Sequence, residues 1–268
     1  MHPLRLLAAA TAAVPLLASA GCSRPITVPV SPIGQSIRID KDGQISGVFP
    51  ALMRDIGAKT GCEIRMSEVP RARLEMMFEQ GHADMLLAAT HAERRDKYGQ
   101  FVPLIQTRAV LMSLDHQRAP IKTMAELAAR PELKLVLVRG FDYGPAYNAL
   151  SRRLQAAHRL VLAKDPLEVA RMLQSRIADV TIMPASGLYG AAKADPRTAS
   201  IAEQFRVEPL EELPWGLAGV YLSTQSLTAD DRAVLESGLN AAAKAGALYH
   251  AYKGFYPANI FAFSSRPL

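Results

Sequence analysis

The first chemistry this sequence offers is anion binding by arginine. An apolar run, Ala83 to Ala89, ends at Thr90-His91-Ala92-Glu93-Arg94-Arg95, and the Thr-x-x-Glu spacing reads as a capping box that opens a helix where a strand stops. The start of a helix presents unpaired N–H groups to an anion. A guanidinium adds a planar fork that takes a carboxylate through charge-assisted hydrogen bonds, contributing about 1.5–3 kcal/mol each when sheltered. Pro70-Arg71-Ala72-Arg73 opens another helix, and Arg139, Asp142 and Tyr143 follow the strand Leu133 to Val138. Arg73, Arg94 and Lys97 are expected as solvated surface charges. Micromolar binding needs about 8 kcal/mol, so one arginine supplies a large share of it and not the whole.

Other chemistries lack their residues. Ala185-Ser186-Gly187 has no Gly-x-Ser-x-Gly frame for a nucleophilic hydrolase. The six histidines are dispersed, with His82 and Asp84 on an adjoining turn and strand, so no metal site is expected. Neither a phosphate loop nor a dinucleotide fingerprint occurs, and no cofactor is expected. The two cysteines, Cys22 and Cys62, are too far apart for a Cys-x-x-Cys motif.

The elements that must position these groups begin after a leader. Residues 1–21 combine Arg5, an apolar run from Leu6 to Ala18, and Ala18-Ser19-Ala20, the three-part grammar of a secretory signal peptide. The run is shorter than the roughly 20 residues of a bilayer span, and a multispan membrane protein is not expected. Ser19-Ala20-Gly21-Cys22 resembles a bacterial lipobox, although Ser19 stands where leucine is usual. Cys22 therefore has two possible fates: lipidation, or survival in an oxidising compartment with Cys62 as its only partner. Of 268 residues, 49% are hydrophobic and 21% charged, enough for a sizeable core in one or two domains. The formal net charge is +6, or +5 without Arg5. The basic residues are scattered and only 6% are aromatic, which disfavours nucleic acid and leaves small anions as partners.

Short apolar runs then alternate with helical spacing, a βαβ pattern with mostly parallel sheets. Strands are expected at Ile26 to Val30, around Ile64, Met66 and Val69, and at Ala83 to Ala89. Pro50 opens one intervening helix, which Gly61 ends; the second carries Leu74, Met77 and Phe78. A second series starts at the capping box Thr123-Met124-Ala125-Glu126. It continues through the strand Leu133 to Val138, a helix with Tyr147, Leu150 and Leu154, the strand Leu160 to Leu162, a helix capped by Asp165, and the strand Asp179 to Met183. A long helix opens at Thr228, and Tyr249, Tyr252, Phe255 and Tyr256 follow. Arg108 to Leu114 going out and Leu217 to Leu222 coming back join two α/β units. Two lobes, a ligand cleft and hinge closure follow from that arrangement. The expected boundaries are 22–112 for the first part of lobe 1, 113–216 for lobe 2 and 217–268 for the return to lobe 1.

Over nearly the whole mature chain this order resembles the extracytoplasmic solute-binding proteins of family 3, the polar amino-acid-binding components of ABC importers. The resemblance rests on Asp42-Gly43-Gln44-Ile45-Ser46-Gly47-Val48-Phe49, on Gly81-His82-Ala83-Asp84 followed by Thr90 to Arg95, on Phe101-Val102-Pro103, on Val136 to Gly140, and on the tail around Gly246, Tyr252 and Tyr256. It implies a type II periplasmic-binding-protein fold with a two-strand hinge, a periplasmic monomer and ABC permease subunits as partners. It also implies that Arg95 grips a ligand carboxylate with Thr90 supplying a hydroxyl. Arg71 falls where an aromatic residue often stacks on the ligand, and Asp142 and Tyr143 come from the opposite lobe. The acidic residue that holds an ammonium in many relatives is replaced near Met183-Pro184, and the aromatic usual after the first strand is absent near Ile33-Gly34. The missing acidic residue, with Arg71 added, shifts the charge balance toward anions, so the expected ligand is a small carboxylate, a dicarboxylate included, with an amino-acid-like, zwitterionic solute left open. The resemblance leaves two further readings: a secreted cyclohexadienyl dehydratase with Asp142 as proton donor and Arg95 as anchor, and a sensory module for a separate membrane receptor.

Overall fold

A computed structural model describes residues 21–114 and 116–268; the signal peptide expected over residues 1–21 lies, apart from Gly21, outside the described residues. Lobe 1 begins β1 (Ile26–Val30), β2 (Arg38–Ile39), β3 (Ile45–Ser46), α1 (Val48–Thr60), β4 (Ile64–Glu68), α2 (Arg71–Glu79), β5 (Met85–Thr90), α3 (Glu93–Asp96) and β6 (Gly99–Thr107). The second lobe holds β7 (Val110–Ser113), α4 (Met124–Ala128), β8 (Leu135–Val138), α5 (Pro145–Ala156), β9 (Leu160–Ala163), α6 (Pro166–Gln174), β10 (Val180–Met183), α7 (Ala185–Ala194), α8 (Ala199–Ala202) and β11 (Arg206–Glu208). The chain then returns through β12 (Gly216–Ser223), α9 (Ala229–Lys244), α10 (Ala247–Lys253), α11 (Ala258–Ser264) and β13 (Ser265–Arg266).

Local chemistry sets these elements. Gly61 ends α1 in the left-handed region at φ 74°, which costs glycine no steric penalty. Thr123, Asp165 and Thr228 each accept a hydrogen bond from the N–H three residues on, satisfying a donor that the helix itself leaves unpaired. The capping box expected at Thr90 does not form: α3 starts at Glu93, its N-cap is Ala92 without a side-chain hydrogen bond, and Thr90 is the last residue of β5.

Sheet topology separates the lobes. One sheet has the order β11-β7-β10-β8-β9, with β10-β8 and β8-β9 parallel. The other main sheet has the order β13-β6-β12-β5, and here the mostly parallel expectation is corrected: β12 is antiparallel to both β5 and β6. The reason is directional. β6 runs out toward lobe 2 and β12 runs back, so side by side they oppose. β1 and β4 pair in parallel, and the Asp84 N–H donates to the Thr27 carbonyl at 2.9 Å, tying that pair to β5. Between the main sheets the chain passes out through Arg108 and Ala109 and back through residues 209–215.

Cys22 is bonded to Cys62. This is the second of the two fates expected for Cys22, and one sulfur holds either the bridge or a lipid thioether. Next to the bridge, Arg24 makes two 2.7 Å hydrogen bonds to buried Asp84, fixing the start of β1 to lobe 1. The far end of the chain reaches across the lobes: α11 packs on α7, and the Phe263 carbonyl accepts from Arg108 Nε at 2.7 Å.

Candidate functional site

A cleft with a cavity volume of ≈ 80 Å³ lies between the lobes, lined on one side by Arg71, Thr90 and Arg95 and on the other by Asp142, Tyr143 and Ser186. All five residues singled out in the sequence thus come to one place, delivered by the start of α2, the end of β5, α3 and the loop after β8. Arg139, in that same loop, is exposed and does not line the cleft, and Arg73 is exposed on α2. A bulge aims Thr90: β12 skips a residue opposite Ala88, whose φ is +51°, and such irregularities turn the strand locally.

Arg95 is buried to 1% exposure, and an internal carboxylate already engages it. Its Nε and Nη2 donate to Glu75 Oε2 and Oε1 at 3.0 and 2.9 Å, while Nη1 donates to the Thr90 carbonyl at 2.8 Å. Three of the five guanidinium donors are thereby used. Arg71 Nη2 donates to the same Glu75 Oε1 at 2.8 Å. Its own Nε is buried and has no acceptor among the described residues, and its guanidinium carbon stands 5.9 Å from the centre of the Phe141 ring. Burial lowers the Arg71 pKa, with Glu75 opposing that and Arg95 adding to it. Burial alone would raise Glu75, yet Arg71 and Arg95 outweigh it and hold the carboxyl below its ordinary range. Glu75 escaped the sequence reading because it sits in the middle of α2 on the buried face; its signal was the spacing of four from Arg71, which places both on one side of a helix.

Asp142 joins the lobes. Arg94 Nε donates to Asp142 Oδ2 at 2.8 Å, and the Thr90 hydroxyl donates to the Asp142 carbonyl at 3.1 Å. Arg94 also reaches Glu79 and Glu75, which corrects its expected place among the solvated surface charges. Its neighbour Arg95 turns inward, so Arg94 points across the cleft mouth. Burial favours protonation of Asp142, but the Gly144 N–H, Arg94 and Asn148 prevail and its pKa is lowered. Asp142 therefore stands as a carboxylate at neutral pH. Tyr143 packs edge-on against Tyr147 at 5.0 Å, and burial raises its pKa well above normal, which keeps its hydroxyl protonated. Among the described residues no group of histidine, cysteine and acidic side chains is arranged to hold a metal ion.

The comparisons extend this picture. The model of a family described as bacterial extracellular solute-binding proteins, family 3, matches residues 30–257. Among solved structures, a histidine kinase sensor domain with similarity to periplasmic binding proteins superposes with TM-score 0.67 at 18% identity, over 87% of this chain and 96% of that one. The arginine-, lysine-, histidine-binding protein ArtJ from Geobacillus stearothermophilus gives 0.69 at 14%, over 87% and 95%. An amino acid ABC transporter substrate-binding protein from Streptococcus pneumoniae, bound to L-arginine, gives 0.65 at 15%, over 86% and 92%. At these identities the likeness establishes the periplasmic-binding-protein fold. No curated protein matches the chain significantly.

Proposed function

The chain belongs to family 3 of the bacterial extracellular solute-binding proteins, and we propose that it captures a small solute bearing a carboxylate between its lobes and delivers it to the permease subunits of an ABC importer. The observation that carries this reading is Arg71, which lines the cleft and whose buried Nε has no acceptor among the described residues. A buried donor left unmade costs free energy, and an anionic oxygen placed there offsets it. Arg95 beside it keeps two N–H groups beyond its contacts with Glu75 and Thr90. A carboxylate lying between the two guanidiniums answers both. The relatives named above with bound or cognate arginine support a small solute, but an arginine side chain here would face two cations, so only the carboxylate end is carried over.

In this mechanism the two sheet systems act as lobes, with residues 22–107 and 216–268 on one side and 110–208 on the other; the crossings at residues 108–109 and 209–215 move the expected boundaries at 112 and 216 by a few residues. The solute lands on the lobe 1 wall, and the loop bearing Asp142 and Tyr143 closes over it. Ligand shifts the lobes only to the extent that it binds the closed form better than the open one. Export through residues 1–21 places the protein in the periplasm, and no chemical step on the solute is involved.

The test is a thermal-shift and calorimetric panel of α-amino acids, monocarboxylates, 2-oxo acids, dicarboxylates and prephenate on the mature protein. One ligand class is expected to raise the melting temperature, as a native-state ligand must. Arg71→Met and Arg95→Ala are each expected to lower its affinity by roughly tenfold or more, the loss of a charge-assisted hydrogen bond. Wild-type affinity in both variants overturns the assignment.

A further inference from the structure

The polarity of the cleft wall narrows the solute class. Arg71 and Arg95 face the cavity over a single buried carboxylate, Glu75, to which both donate; Arg94 also reaches Glu75 but is shared with Glu79 and Asp142 at the cleft mouth, so the two lining arginines and Glu75 leave one positive charge in excess. Among the described residues the only carboxylate lining the cleft is Asp142, and its oxygens already accept from Gly144 N–H at 3.0 Å, Asn148 Nδ2 at 3.1 Å and Arg94 Nε at 2.8 Å. Donors, in contrast, are available: Arg71 Nε is unanswered, and Ser36, which accepts from the Tyr252 hydroxyl at 2.7 Å, keeps its own proton to give. Much of the remaining lining is apolar, including Ile33, Phe49, Ile105, Phe141 and Met183. A cavity volume of ≈ 80 Å³ holds about half a dozen water-sized groups.

On the reading that this cleft is the solute site, we infer that it selects small monocarboxylates without an ammonium group, of the 2-oxo-acid type. The single excess charge matches one carboxylate. A 2-oxo oxygen is an acceptor that the surplus donors answer. An ammonium at the same carbon brings three donors and a second positive charge into a wall with no uncommitted carboxylate, and a buried charge without a counter-charge is strongly disfavoured. A second carboxylate brings a negative charge that no further cation matches.

Matched pairs test this on the mature protein by calorimetric titration: pyruvate against L-alanine, 3-methyl-2-oxobutanoate against L-valine, with succinate as the dicarboxylate. The oxo acid of at least one pair is expected to bind, and its amino acid to bind roughly tenfold or more weakly, the scale of discrimination that unpaired polar groups impose. Ser186→Asp, which adds a carboxylate to the opposite wall, is expected to narrow or reverse that ratio. An amino acid that binds the wild-type protein as tightly as its oxo acid, or succinate binding more tightly than either, overturns this inference and leaves the solute-capture reading standing. If none of the five binds and the wider panel also produces no ligand, both fall. A wild-type preference that Ser186→Asp leaves unchanged, in a variant that melts as the parent does, overturns the charge argument.

Discussion

Glu75 shows how much one buried residue constrains. Three arginines donate to it, and a buried carboxylate persists only because such partners offset its lost hydration. The arrangement gives Arg71 and Arg95 fixed orientations before any solute arrives, so the ligand does not have to order two long side chains on binding. Glu75→Gln removes one negative charge while keeping an acceptor oxygen, and it is expected to raise affinity for succinate relative to pyruvate, measurable by paired titrations. Acid stability follows from the same groups. Glu75, Asp84 and Asp142 all have lowered pKa values, burial opposing the shift in each case and the arginines and hydrogen bonds prevailing. A carboxyl depressed in the folded state stabilises above its unfolded pKa and loses that contribution as pH falls through the folded value. The melting temperature is therefore expected to decline below about pH 4, the unfolded carboxyl range, with Asp142→Asn making the decline shallower in a pH series.

At the scale of elements, closure depends on how near α7 can come to the loop after β1. A Cβ added at Gly190 would sit 3.0 Å from Gln35 N and 3.3 Å from both the Gly34 Cα and the Tyr256 hydroxyl. The loop backbone and α7 belong to different lobes, so the crowding acts on their approach and leaves each lobe's own packing alone. Gly190→Ala is expected to weaken ligand binding by roughly three- to tenfold through the closed state, while the ligand-free melting temperature stays within about a degree or two, the range of a change that leaves the core intact. A fall in the ligand-free melting temperature instead would mean that the contact belongs to the fold and not to closure. Thr90 carries a related lesson. The Thr-x-x-Glu spacing offers its hydroxyl a helix cap beside the ligand contact that the resemblance implies, yet the bulge at Ala88 and the late start of α3 turn it across the cleft, where it donates to the Asp142 carbonyl.

Across the whole molecule, the return crossing carries the single tryptophan of the sequence. Two guanidiniums stand against Trp215, with the Arg108 carbon 4.7 Å and the Arg266 carbon 4.5 Å from its ring centre. Arg108 belongs to the outgoing crossing, and Arg266 sits on β13, which pairs with β6. The indole therefore touches both strands of the hinge and the chain's end, and such cation–π contacts contribute about 0.5–2 kcal/mol each. Opening or closing the lobes is expected to change this stack, so tryptophan emission should change saturably with the solute that raises the melting temperature. Arg108→Met should reduce the amplitude of that change. A flat emission with full calorimetric binding would place the moving joint elsewhere.

The sequence by itself determined the alternation of strands and helices, the caps at Thr123, Asp165 and Thr228, the stop at Gly61 and the family pattern, because these depend on neighbours within a few residues. The family resemblance also picked out Arg71, Thr90 and Arg95, and Asp142 and Tyr143 were legible because they follow the end of β8, where an α/β fold places its ligands. Only the tertiary structure decided what those side chains face. Arg94 and Arg95 are adjacent and chemically identical, yet one spans the cleft mouth and the other lies buried on Glu75, because the turn of α3 sends them in different directions. Glu75 was hidden for the same reason: a carboxylate in a helix interior reads as solvated until another element, here α3, delivers a counter-charge to it from 20 residues away in the chain. The antiparallel course of β12 likewise depends on where the chain returns from, which no local pattern records.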